Sequence, residues 1–568
     1  MSNASQEKPN SPKRGRLRRV ARIACIVLAA LIVLGVLGSW SVEWFCIAEP
    51  PVPASSPAVL NYVLKKDGDV RRFGDSWLAR KDGLLRMTLA GDPFTLGYSN
   101  GVLTQQYTRE QEEDLIRLIK ERVPSRAARW LLRKYVLLRN RKLPEFVLPE
   151  HREEIYGFSR GTPDWHPEIA PAYHRFLNYH AAHDISHAVM DHPLVGCTSF
   201  AAWGALTANG HLLLGRNFDF DAGRGFDENK IVILFKPDKG LRFISVAWAG
   251  MIGVVSGINE AKIAVTINAA QSVDVREVGT PVSLVLREVL QTARTLDEAV
   301  SIIRRKEVFV SDLYLVADGK TGEVVEVEKT PTRCAVRRPD GDYLVSSNHF
   351  LAKELAADPA NVRYLREGTS LARYQQMEAI IKARKGLLTP QVAVDILRTK
   401  SVQNVDAGLG NAAALNSLVA THSVVMDVTD GVLWVSAGPH QLGAFIPFTV
   451  EAFESAPTRE VIPADSMLAD GSFARYLKSV EMLSKAEALF KEGKTQEAAD
   501  MADAAAGLNP DSYKPLLTRG RIAFARKDWR RAKAALQEAA AHGPPYESER
   551  AQIKTMLKEI AVHEAATR

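Results

Sequence analysis

One stretch of this chain concentrates the residue types needed for nucleophilic chemistry: VGCTSFAAWGALTANGHLLLGRNFDF, residues 195–220. Gly196, Cys197, Thr198 and Ser199 open a strand. A turn at Asn209-Gly210 returns a second strand that ends in Gly215-Arg216-Asn217-Phe218-Asp219. Asn-Gly between apolar runs is a strong hairpin signal, and pairing across it carries Arg216 and Asp219 back towards Cys197. A thiol attacks as the thiolate, which needs a nearby cation, a base or a helix terminus at neutral pH. Arg216 can supply the charge and Asp219 can orient a base. The same pattern also suits a buried structural cysteine, where most free thiols belong. A second cluster, HAAHDISH, sets His180, His183 and His187 on one helical face beside Asp184. It mimics a zinc helix, but its acid is Asp rather than Glu and no third-ligand motif follows. Hydrogen-bonded helix histidines are therefore expected, with no metal and no cofactor assigned. Neither a phosphate-binding glycine loop nor a serine nucleophile elbow is present.

The 195–220 segment resembles the nucleophile hairpin of the N-terminal-nucleophile cysteine hydrolases. It is most similar to the acyl-CoA:6-aminopenicillanic acid acyltransferase family of self-processing peptidases and more distantly resembles choloylglycine hydrolases. Further stretches are similar in the same order. GDPFTLGYSNGVL (91–103) resembles the opening motif, GINEAKIAVTINAA (257–270) the glycine-x-asparagine-glutamate turn and the strand ending in Asn268. DYLVSSNHF carries Asn348, GTSLARYQ carries Arg373, and THSVVMDVTDGVLWVSAGPH resembles the closing hairpin.

The resemblance implies an α+β fold, a four-layer αββα sandwich. It also implies autocatalytic scission of the Gly196–Cys197 bond, which leaves Cys197 as a new N-terminus. An α-amine (pKa ~7.7–8.0) and a thiol (~8.5) then share one residue as base and nucleophile. Asp219 would hold the amine and Arg216 would favour the thiolate. Asn268 and Asn348 would donate to the oxyanion. Arg373 would bind substrate as a cation, or close a helix-terminal salt bridge. Arg216 follows the choloylglycine-hydrolase version rather than the acyltransferase one, so hydrolysis and acyl transfer both stay open.

The elements that must position these residues fall into zones. Residues 59–196 read as a mainly helical, propeptide-like segment; TREQEEDLIRLIKERV has apolar residues at helical spacing. Residues 197–455 alternate short β runs with two helical intervals, an α+β texture. After a linker at 456–478, residues 479–568 are Ala-rich and helical. There Ala498 recurs at Ala532 and Pro510 at Pro544, both 34 residues on, the period of a tetratricopeptide repeat. An Ala-rich bundle is the alternative. Stacked repeats form a groove for a protein or peptide partner.

The chain is 46% hydrophobic and 24% charged, which excludes wholesale disorder, and four cysteines in 568 residues exclude a disulfide scaffold. Most of the net charge of +7 lies in residues 1–22, where seven basic side chains face Glu7 alone. The remainder is nearly neutral, so no nucleic-acid footprint exists. Residues 23–42 are free of charge, long enough to span a bilayer, and followed by Trp44. They read as a transmembrane anchor, with a removed signal peptide as the alternative. The basic flank keeps 1–22 cytoplasmic and sends everything beyond the Pro-rich linker at 43–58 outside, to the periplasm in a bacterium.

Together these features predict a membrane-anchored, self-processing cysteine amidohydrolase or acyltransferase acting on a small amide or acyl substrate through a thioester on Cys197. One alternative is an inactive hydrolase fold acting as a tethered scaffold through its repeats. Another is a phospholipase-B-like ester hydrolase.

Overall fold

The computed structural model describes residues 42–53, 58–182, 184, 195–220, 223–403, 406–455 and 459–566. The expected anchor, residues 23–42, lies outside these except at its last position. Among the described residues no helix is long and apolar enough to cross a membrane.

Two sheets face each other. The larger has eleven strands, running in order from Lys65–Asp67 at one edge through Leu84–Gly91, Ile231–Pro237 and Ile263–Ala269 to Cys334–Arg337 at the other. Its neighbours pair antiparallel except Leu84–Gly91, which runs parallel to Ile231–Pro237. The smaller sheet has six strands in the order Tyr343–Ser346, Val195–Ala202, Leu213–Phe220, Ala420–Asp427, Val432–Ser436, Phe445–Phe448.

Three apolar cores separate four layers. Val232, Leu234 and Val246 of the large sheet meet Leu214, Val424 and Leu433 of the small one. The other face of the large sheet packs Met87, Leu89 and Phe235 against Leu103, Phe158 and Leu286 from helices. The outer face of the small sheet packs Phe200 and Val425 against Met377 and Val394 of the helices Ser370–Ala383 and Pro390–Leu397. The observed order is thus helices, sheet, sheet, helices.

Residues 59–196 are mainly helical, with β structure near their start. They open with four strands, and Leu84–Gly91 sits well inside the large sheet. In its sequence LLRMTLAG, Leu85, Met87 and Leu89 alternate with Arg86 and Thr88, the period of a strand, and both faces are covered. The helical part follows. Asp92 caps the long helix Pro93–Arg122 by accepting from Thr95 N at 2.8 Å, with Pro93 in its first turn. This helix packs closely against Pro149–Gly161 through glycines on both partners. A Cβ at Gly97 would fall 1.8 Å from the Glu154 carbonyl oxygen, and one at Gly157 would fall 2.2 Å from the Phe94 carbonyl oxygen. Gly97→Ala is therefore expected to destabilise the fold by about 1–3 kcal/mol or more, since backbone must move. Gly507→Ala, in an open helical position with nothing within 4 Å, should stabilise by about 0.5–1 kcal/mol. Denaturant melts of the two variants check both signs.

The tail forms five helices, Ser472–Lys491, Thr495–Leu508, Tyr513–Ala525, Trp529–Ala541 and Glu547–Ala566. It begins within the stretch read as a linker. Ala498 and Ala532, the pair that revealed the repeat, are both fully buried at equivalent places in successive helix pairs.

Candidate active site

The hairpin is paired so that Gly196 faces Asp219, Cys197 faces Phe218 and Ser199 faces Arg216. Successive strand residues point to opposite faces, and this parity divides the site. Cys197, Ser199, Arg216 and Phe218 share the face turned to the large sheet. Thr198, Asn217 and Asp219 share the face turned to the outer helices. Arg216 is thus the diagonal cross-strand neighbour of Cys197, within reach of a long side chain.

Arg216 is fully buried. Its Nη2 donates to Cys197 Sγ at 3.6 Å and to the Ile267 carbonyl. Its Nη1 donates to the Val255 carbonyl and to Ser256 Oγ, each at 2.6 Å, and the guanidinium lies 4.4 Å from the Phe218 ring centroid. Ser256 Oγ in turn lies 3.0 Å from His422 Nε2. Burial holds His422 well below its ordinary value, and Arg216 adds to this. The imidazole is therefore neutral. With Arg216 donating to Ser256, the serine hydroxyl donates onward to His422. Sequence reasoning missed Ser256 and His422. Each sits in a fully buried strand, and only the packing of the two sheets brings them to Arg216.

On the outer face Arg373 is buried within the site. Its Nη1 donates to the Cys197 carbonyl at 2.5 Å and to Thr198 Oγ1 at 2.7 Å; its Nη2 donates to Asn348 Oδ1 at 2.8 Å. The same Oδ1 accepts the Cys197 backbone N–H at 2.9 Å. Asn348 Nδ2 donates to the Ala269 carbonyl at 2.9 Å, and Ser370 Oγ fixes the Asn348 backbone N–H at 2.7 Å. Asn268 accepts from Ser199 Oγ at 3.2 Å and donates to Ser346 Oγ at 2.9 Å. Of the residues singled out in the sequence, Arg216, Asn348 and Arg373 hydrogen-bond Cys197 directly, Asn268 bonds Ser199 two positions on, and Asp219 faces Gly196 across the hairpin. Asp219 accepts from Ser417 Oγ at 3.1 Å through Oδ2, while Oδ1 has no hydrogen-bond partner.

Burial pushes the Cys197 thiol up to about 11, against the pull of Arg216. Burial likewise raises Asp219 to about 7, opposed by Arg373, Ser417 and Arg216. In the uncleaved chain the thiol is thus mostly protonated. The Cys197 nitrogen is a peptide amide and cannot serve as a base.

Beside the hairpin lies an apolar cavity of about 170 Å³, lined by Phe176, Phe218, Phe220, Trp248 and Met251 among others. Val255 and Ile267, whose carbonyls hold Arg216, also line it. Residues of the helices before Cys197 form one wall.

Of the histidine cluster, His183 and His187 lie outside the described residues. His180 is committed to the fold. Its Nδ1 meets the Phe176 carbonyl at 2.8 Å and its Nε2 accepts from Ile252 N at 3.1 Å. Elsewhere His211, Asp427 and Asp430 bring ligand atoms within 4.8 Å of one another, but Asp430 is paired with Arg459 at 2.6 Å.

Asp184 is buried, accepts from Val282 N at 3.2 Å and is pushed by burial up to about 8. Asp312, whose oxygens are both unpartnered, is raised well above its ordinary value by burial and by Asp184. Both folded-state values lie above the unfolded one, so folding takes up protons. This stability is fully present below about pH 4 and is lost as pH rises through about 8. Asp184→Asn keeps an acceptor for Val282 N and removes the titration. The uncleaved variant should lose less melting temperature than the parent between pH 5 and 8.5. An unchanged pH slope would refute the assignment.

Residues 206–396 match the family model described as acyl-coenzyme A:6-aminopenicillanic acid acyl-transferase, and residues 489–557 match a tetratricopeptide repeat model. The first match takes in Arg216, Asp219, Asn268, Asn348 and Arg373 and begins after Cys197. Both the resemblance read from the hairpin and the repeat read from the 34-residue period thus have matching family models. Curated relatives include an uncharacterized protein of Archaeoglobus fulgidus, 27% identical over 340 residues, 53% of this chain and 55% of that protein. Another is an N-acylethanolamine-hydrolyzing acid amidase of Caenorhabditis elegans, 28% identical over 144 residues, 24% of this chain and 40% of that protein. The chain therefore spans about half, or less, of the length of these relatives. Similar solved structures include a Caenorhabditis elegans ortholog of N-acylethanolamine-hydrolyzing acid amidase, at 20% identity and a TM-score of 0.30, covering 41% of this chain and 93% of that one. A mutant conjugated bile acid hydrolase from Clostridium perfringens aligns at 13% identity and a TM-score of 0.33, covering 47% of this chain and 95% of that one.

Proposed function

We propose that this chain is a membrane-anchored, self-processing cysteine amidohydrolase or acyltransferase that cleaves a linear amide through a thioester on Cys197. The carrying observation is the double hold on one residue: Arg216 Nη2 lies 3.6 Å from its sulfur and Asn348 Oδ1 lies 2.9 Å from its nitrogen. In processing, Cys197 Sγ attacks the Gly196 carbonyl, and the acyl group moves from nitrogen to sulfur. Water then hydrolyses the thioester, leaving a Gly196 carboxylate and a free Cys197 amine. That amine has an ordinary pKa near neutrality and can take the thiol proton, which the buried thiol otherwise retains.

In turnover the sulfur attacks the substrate carbonyl and the amine returns the proton to the leaving nitrogen. Water or a second amine then releases the acyl group. Asn268 and Asn348 donate to the oxyanion through their remaining amide hydrogens. Asp219, as the carboxylate, holds the ammonium form. The many bonds of Arg373 to the Cys197 carbonyl, Thr198 and Asn348 favour a positioning role over direct contact with substrate. The apolar cavity beside Phe218 suits an acyl chain.

The family-model match and the amide-hydrolysing relative support the reaction class. The anchor reading is supported by the exposed Trp44 and Phe45 directly after it, on a segment tied to the body by Glu43 with Arg133 and Lys134. Intact mass, N-terminal sequencing and an acyl-amide library test this function. A new N-terminus at Cys197 with release of free amine is expected. An unprocessed chain that hydrolyses esters and no amides would favour the phospholipase-B-like reading.

A further inference from the structure

The repeat tail does not stand apart from the catalytic body. Its first helix and two of its inter-helix turns grip one loop, residues 406–419, and the far end of that loop carries Ser417 to Asp219. The grip is specific. Asn509, at the end of the Thr495–Leu508 helix, accepts from Leu409 N at 3.4 Å and donates to the Leu409 carbonyl at 3.1 Å. Asn411 Nδ2 donates to the Gly543 carbonyl at 3.3 Å, in the turn before the last helix. The approach leaves no room for side chains. Gly408 and Gly410 both have positive φ, and a Cβ on Gly408 would meet the Asp511 carbonyl carbon at 2.4 Å. One on Gly410 would meet the Tyr476 ring at 2.8 Å.

From this clamp the loop runs inward. Leu415 accepts from Asn217 Nδ2 at 2.8 Å, and Asn416 N donates to Thr399 at 2.8 Å. Leu418 is held in the left-handed region at φ 58°, an unfavourable place for a residue with a branched side chain. Its side chain packs in one cluster with Leu409, Phe473 and Tyr476, so the tail also covers this end of the loop. Between Asn416 and Leu418, the Ser417 hydroxyl points at Asp219 and donates at 3.1 Å. The other oxygen of Asp219 has no partner, so Ser417 is the hydrogen-bond donor on this carboxylate among the described residues.

We propose that the repeat module is a working part of the catalytic site: by clamping Gly408–Asn411 it holds Ser417 as the positioning residue for Asp219. This rests on the role of Asp219 proposed above. A hydrogen bond to the charged form of a carboxylate favours that form. Loss of the Ser417 donor therefore shifts Asp219 further towards its neutral acid. Activity that needs the carboxylate then fails at higher pH than in the parent.

The test uses the full chain after maturation, with Asn509→Ala, Ser417→Ala and the exposed Lys485→Ala as control. Asn509→Asp, which keeps an acceptor for Leu409 N, replaces Asn509→Ala if the latter does not fold. Hydrogen exchange across residues 406–419 is expected to rise about tenfold in the Asn509 variant and to stay unchanged in Lys485→Ala. In Asn509→Ala and Ser417→Ala alike, kcat should fall about tenfold with little change in KM, and the acid limb of the pH–rate profile should move up. Unchanged exchange in the loop overturns the clamp. Faster exchange with an unmoved acid limb overturns its link to Asp219. A parent chain without Cys197-dependent turnover would instead sink the functional reading, and exchange would then decide the clamp alone.

Discussion

Cys197→Ala is expected to remain a single 62.6 kDa chain and to show no turnover above about one ten-thousandth of the parent. Alanine has no atom that can accept an acyl group, so both processing and catalysis stop together. Cys197→Ser should cleave slowly and turn over below detection, because an alkoxide is far harder to form than a thiolate in the same buried place. The parent should yield two pieces that stay together. The piece before Cys197 contributes Leu84–Gly91, hydrogen-bonded to Ser76–Lys81 on one side and Ile231–Pro237 on the other. Its helices also share the core behind the large sheet, and Arg287 of the later piece pairs with the buried Glu154 at 2.8 Å. Scission of one peptide bond removes none of these contacts. Mass spectrometry after denaturation, set beside native gel filtration, reads both claims. Cleavage of the alanine variant at the parental rate would end the reading.

Arg216→Lys should lower kcat/KM by about 100-fold or more and shift the pH dependence of Cys197 alkylation upward. The guanidinium serves four acceptors at once: the Val255 and Ile267 carbonyls, Ser256 Oγ and Cys197 Sγ. An ammonium has three hydrogens on one point and cannot span them. At least one buried acceptor would then be left unmatched, at about 1–3 kcal/mol. The thiol would lose the guanidinium hydrogen bond that helps oppose its burial. Arg216→Gln should go further, since it removes the charge altogether. The rate of iodoacetamide modification against pH separates a changed thiol from a changed fold. A lysine variant with parental alkylation and turnover would remove Arg216 from the mechanism.

Much of this site is local in origin and could be read from the chain. A hairpin turning at Asn209-Gly210 fixes which residues face each other, and the parity of a strand fixes which share a face. The nearness of Arg216 and Asp219 to Cys197 follows from that arithmetic. The tail is equally legible, because a repeat must bury the same position each time, as Ala498 and Ala532 do. The first strands carry a signal too: in Leu84–Gly91, Leu85, Met87 and Leu89 alternate with Arg86 and Thr88, the period-2 pattern of a strand.

The sequence by itself determined the hairpin around Cys197, the cation beside it and the presence of the repeats. Each of these depends on residues close together in the chain, where spacing and geometry are the same thing. Only the tertiary structure decided how those parts are used. It split the site between two faces of one strand, with Arg216 inside and Arg373 outside. It brought Ser256 and His422 behind Arg216 and set the repeat tail on the loop that ends at Asp219. Those contacts join residues a hundred or more positions apart, and they exist because apolar faces of separate elements close on one another. Non-directional burial selects which faces meet, and spacing along the chain carries no record of that choice.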